Sequence, residues 1–97
     1  MNKMNITRES EIDANGIITI SFDKHVSRLC IVTSKSNAST AIGMWIIVTG
    51  ISGIINYVEI FKGANLDISK QDNRVTIKST SSAPCNLLLI SLDSKTL

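Results

Sequence analysis

Helix-favouring residues are scarce in this sequence: Ala, Glu, Gln and Met together fill 12 of 97 positions, whereas Ile, Val and Thr fill 29. That balance excludes a helical bundle and points to strands. Charge is scarce as well. Ten Lys and Arg stand against eight Asp and Glu, a net of +2, and no block of five like charges occurs. So weak a field steers no polyanion, which argues against nucleic-acid binding. One Pro and five Gly in a chain that is 43% hydrophobic exclude collagen, low-complexity and disordered classes, so the chain folds. Its 97 residues allow one domain of ordinary size.

Cysteine and histidine are nearly absent. Cys30 and Cys85 lie 55 positions apart among apolar neighbours, and neither has a second Cys or a His at metal-ligand spacing. They read as two reduced, buried thiols, with a single long-loop disulfide as the alternative. The one histidine, His25, sits in the turn Asp23-Lys24-His25 without the partners that a catalytic base or metal ligand needs. It reads as a solvated turn residue. Ser21-Phe22-Asp23-Lys24 fits a Ser-x-x-Lys nucleophile pattern, but 13 Ser and 7 Lys in 97 positions produce about one such match by chance, and the companion motifs are missing. Glu9, Glu11 and Asp13 alternate and would share one face of a strand. A calcium site there competes with the ordinary use of alternating charge to block strand pairing at an edge. Gly50 and Gly53 lack the Lys and the helix of a phosphate-cradling loop. No catalytic set, metal site or cofactor is expected.

A stretch without charge runs between Lys35 and Glu59, and 41–58 is long and apolar enough to be weighed as a membrane span. The break Gly50-Ile51-Ser52-Gly53, the embedded Asn56 and the lack of flanking Lys or Arg argue instead for a buried β-hairpin with the break as its turn. The N-terminus has acids at Glu9 and Glu11 and no apolar core, so it is not a signal peptide. No membrane association is expected.

Period-two alternation marks most strands. Ile18, Ile20 and Phe22 fall on one face with Thr19 and Ser21 opposite; Leu29 and Ile31 oppose Arg28, Cys30 and Val32; Val75 and Ile77 oppose Arg74, Thr76 and Lys78. The hairpin arms Ile42–Thr49 and Ile54–Phe61 are apolar on both faces, as in the middle of a packed sheet or at a subunit contact. Leu66 and Ile68 mark a short strand, and Asn86–Leu92 a last buried one. Turns recur roughly every eight to twelve residues, and no internal repeat survives comparison. The expected fold is all-β: an antiparallel β-sandwich or jelly-roll-like barrel of about seven or eight short strands over 16–97, preceded by an N-terminal arm or edge strand over 1–15. The arm has few apolar side chains, Ile6 and Ile12 among them, and would dock on a neighbouring molecule or pair within its own sheet. Trp45 shares a face with Gly43 and Ile47, and reads as core or subunit interface more readily than as a platform for a sugar or base. Ile6, Ile12, Trp45, Ile47 and Tyr57 are the expected interface residues.

Gly16 to Leu92 resembles small β-sandwich modules of tailed-phage virion proteins, both capsid accessory proteins and tail-fibre tips. The likeness lies in the order of Gly43-Met-Trp-Ile-Ile-Val-Thr-Gly50, Val58-Glu-Ile-Phe-Lys-Gly63, Asp72-Asn-Arg-Val-Thr-Ile-Lys78 and a Ser/Thr loop that feeds a final apolar strand. The resemblance implies a homo-oligomer, often a trimer, held in a particle and without enzymatic activity. Because the chain begins at its own Met1 rather than after a fibre shaft, a free-standing accessory or decoration protein is expected. It would be made in the host cytoplasm, located in the virion and partnered by capsid or tail proteins. The alternatives are a receptor- or glycan-binding module, which four aromatics on strands scarcely equip, and an inhibitor of a host enzyme.

Overall fold

The computed structural model describes residues 6–35 and 40–92. These form eight strands: β1 (Ile6–Ile12), β2 (Ile17–Ser21), β3 (Ser27–Ser34), β4 (Ala41–Thr49), β5 (Ile55–Lys62), β6 (Leu66–Gln71), β7 (Arg74–Ser79) and β8 (Cys85–Ser91). They make two antiparallel sheets, one of five strands in the order β1-β8-β3-β4-β5 and one of three in the order β2-β7-β6. The sheets pack face to face as a β-sandwich around one cluster of buried side chains. The slab they form is 19 Å deep, the depth of two layers.

The alternation that marks the strands also decides which side chains enter the core. From the three-stranded sheet, Ile20 meets Val75 and Ile18 meets Ile77 across the β2–β7 ladder, and Leu66 enters from β6. The five-stranded sheet contributes Ile12, Leu87, Leu89, Cys30, Val32, Trp45, Ile47 and Ile55. Gly43 makes room for the one large ring. A Cβ there would lie 2.7 Å from Trp45 Cη2 and 2.8 Å from Leu66 Cδ1, so only glycine lets the indole lie over β4.

Side-chain and turn hydrogen bonds close one end of the sandwich. Thr49 Oγ1 donates to the Asp23 carbonyl at 2.6 Å and accepts from the Val26 N–H at 3.1 Å, fastening the β2–β3 turn to β4. The β6–β7 turn reaches both sheets: Asp72 O accepts from Ile55 N at 3.0 Å, and Asn73 O accepts from Phe22 N at 2.9 Å. Among the described residues, three non-glycine turn residues take positive φ, Asn15 at 54°, His25 at 57° and Asp72 at 53°. Asn and Asp tolerate that region, and His25 holds it as a backbone element of its turn.

The structure decides between readings that the sequence leaves open. Over its described part the segment 1–15 is an edge strand rather than a free arm: β1 pairs with β8 from Ile6 to Ile12, and Ile12 is buried in the chain's own core. The hairpin arms are not equivalent, because β4 lies inside the sheet whereas β5 is its edge and is exposed over most of its length. The two antiparallel sheets and eight strands are those of the expected all-β sandwich. Residues 1–5 of the expected arm and the tail beyond Leu92 lie outside the described residues.

Candidate assembly surface

The candidate site is the outward face of the five-stranded sheet. Since Cys30, Val32, Trp45 and Ile47 point inward, their neighbours on β3 and β4 point out, and the strand registers line those neighbours into rows. One row runs across all five strands as Ile6, Ile90, Leu29, Ile46 and Val58. The next runs as Glu9, Leu88, Ile31, Met44 and Phe61. Nine of these ten side chains are apolar. The flanking rows are mixed: Glu11, Asn86, Thr33 and Ala41 at one end, Ser27, Asn56 and the exposed Val48 at the other.

Among the described residues no strand or loop forms a layer over these rows. Val58 is 63% exposed, Ile6 43% and Phe61 39%. Leu29, Ile31, Met44, Ile46 and Leu88 are half-buried, and Ile90 is buried although it stands outside the core cluster. The opposite outer face, on the three-stranded sheet, carries Thr19, Ser21, Asp67, Ser69, Arg74, Thr76 and Lys78 with Ile17 as a single exposed apolar residue, the pattern of a sheet facing water. Two sheets of one small domain thus present opposite chemistry outward, and only one of them is ordinary for a solvated surface.

The two edges of the five-stranded sheet also differ. On β1 a register shift between Ile6 and Arg8, together with Glu9, Glu11 and Arg8, supplies the irregularity and charge that discourage further pairing. Glu11 is held by Lys35 at 2.6 Å. On β5 the Ile55 N–H turns away from β4 toward Asp72 O, so the alternation of an antiparallel strand places the backbone groups of Tyr57 and Glu59 on the outer edge too. Lys70 Nζ covers the start of that edge by donating to the Ile55 carbonyl at 2.9 Å.

Of the expected interface residues, Ile6 alone belongs to this face. Ile12, Trp45 and Ile47 are fully buried in the chain's own core, which corrects their assignment to a subunit contact. The reason is register: the inward set on β4 is the one that includes Gly43, where the indole fits. Tyr57, also inward on β5, is half-buried against the core. Trp45 is therefore no ligand platform, and its Nε1 donates to Glu59 Oε1 at 3.1 Å across the β4–β5 pair. Met44, Ile46, Val58 and Phe61 belong to the two hairpin arms that the sequence shows to be apolar on both faces, whereas Leu29 and Ile31 on β3 carry no separate surface signal.

The remaining chemical candidates stay apart. Cys30 and Cys85 are free and buried, and burial pushes the Cys30 thiol up from 9.0 to about 12. Among the described residues no group of three His, Cys, Asp or Glu is placed to hold a metal, and no helix is long and apolar enough to cross a membrane. A shallow hollow of about 670 Å³ lies at the loop end between Phe22, Lys24, Ser52, Ile54, Asp72 and Asn73. No protein-family model, curated protein or solved structure matches this chain at a significant level.

Proposed function

We propose that this protein is a non-enzymatic structural subunit that works by assembly, and that its place is in a tailed-phage particle as a capsid or tail accessory protein. One observation supports assembly above all: two apolar rows span the outward face of the five-stranded sheet while the other outer face is polar apart from Ile17. A monomer that kept this face in water would forfeit burial worth roughly 25 cal/mol per Å² of apolar area. The particle assignment rests on the resemblance in the order of strands and loops described above.

The reading is tested on purified particles from the source. Peptide mass spectrometry is expected to find the chain at a fixed ratio to the major structural protein, and Val58→Lys is expected to lower that ratio without unfolding the domain. Particles that lack the chain altogether would retire this placement. A receptor-binding role now depends on the loop-end hollow with Asp72 and Asn73 rather than on Trp45. Saturable binding of a host glycan, lost on Asn73→Ala, would favour it instead.

A further inference from the structure

We infer that the outward face of the five-stranded sheet is covered by the same face of a second copy, giving a two-fold dimer with its apolar rows sealed between two sheets. This rests on the reading of that face as an assembly surface, and it names the occupant.

Three observations select a second copy. The first is charge. A two-fold contact sets a surface against itself, so any net charge on it meets like charge. The row Ile6, Ile90, Leu29, Ile46 and Val58 has none, the second row has Glu9 alone at its β1 end, and Glu11 in the adjoining row is neutralised by Lys35 at 2.6 Å. The second is shape. Sheets with the same twist pack face to face at an angle near 30° and about 10 Å apart, so a twisted sheet fits a copy of itself without special carving. The third is area. Five strands about 4.8 Å apart and some six residues long at about 3.3 Å each span roughly 480 Å² of plane. Two such faces bring together roughly 960 Å² before side-chain relief is counted, close to the ~1,000 Å² that a specific interface needs. Asn86 and Thr33 at one end and Ser27 and Asn56 at the other supply polar groups for the rim around that apolar centre, with Val48 extending the apolar surface between Ser27 and Asn56.

Sedimentation equilibrium of the full chain tests the pairing. The expected mass at micromolar concentration is twice 10.5 kDa. Val58→Lys and Ile46→Lys are expected to halve it while the strand signature in circular dichroism is kept. Thr76→Lys, on the polar outer face of the other sheet, is expected to leave the dimer intact. If Ile46→Lys fails to fold, Val58→Lys at the exposed edge decides alone. A wild-type monomer throughout that range, a trimer, or a dimer indifferent to Val58→Lys would each overturn the inference. A dimer missing from particles retires the virion reading and leaves the pairing standing, whereas a monomer recovered in particles does the reverse.

Discussion

At the scale of single residues, the fold is most sensitive where space or polarity leaves one choice. Gly43 is such a position, because an added methyl group would meet the Trp45 ring and Leu66 at under 3 Å with core behind both. Gly43→Ala is expected to destabilise by ~1–3 kcal/mol through overpacking, read as a lower urea midpoint with an unchanged slope. Cys30 gives a pH signature. Its thiol ionises near 9 when unfolded and near 12 when folded, so the folded state holds its proton more tightly. Stability from this group is complete below pH 9 and falls by ~1.4 kcal/mol per pH unit as pH rises through the window toward 12. Comparing wild type with Cys30→Val between pH 8.5 and 10.5 isolates that slope, which is expected to shrink in the variant. The same burial predicts that Cys30 resists alkylation until the domain opens.

At the scale of elements, β1 joins two roles in seven residues. Its last residue, Ile12, closes the core beside Cys85, while its first, Ile6, lies on the outward apolar row beside Ile90. Ile12→Ala is expected to cost ~2–5 kcal/mol, as in other fully buried positions. Ile6→Ala is expected to stay within ~0.5 kcal/mol in the isolated monomer, since 43% of it is already in water. Thermal unfolding of both variants checks the contrast, and equal losses would show that β1 sits against its own domain along its whole length. Deleting residues 1–13 removes the ladder partner of β8 as well as Ile12, so the truncated chain is expected to lose stability rather than association alone. That outcome differs from the one a detachable arm would give.

At the scale of the whole molecule, the first and last described strands meet in one sheet. β1 pairs with β8, and Thr7 Oγ1 donates to the Leu89 carbonyl across 82 positions of sequence. Such pairing requires long loops to close before any contact compensates for them, which slows folding. Refolding of the Val58→Lys variant, followed by the fluorescence of the buried Trp45, is expected in milliseconds to seconds. Microsecond refolding would mean that local hairpins carry the transition state. The slab also has a mostly polar side and an apolar side, and an exposed apolar sheet face of this kind is expected to make an isolated monomer prone to aggregate.

The strands were legible in the sequence by themselves. β-branched abundance, period-two alternation at Ile18–Ile20 and Val75–Ile77, and the break at Gly50–Gly53 specify an all-β chain with its turns close to where they lie. These are local signals, set by the geometry of one strand or one turn. The outward face of the larger sheet was decided only in three dimensions. On β3 and β4 both sets of alternate residues are apolar, so the sequence alone does not choose which set is core. Gly43 chooses it, because the Trp45 indole fits only over a residue without a side chain, and that sends Met44 and Ile46 outward. Strand order did the rest, since Ile6, Ile90, Leu29, Ile46 and Val58 are distant in the chain and become one surface only when β1, β8, β3, β4 and β5 lie side by side.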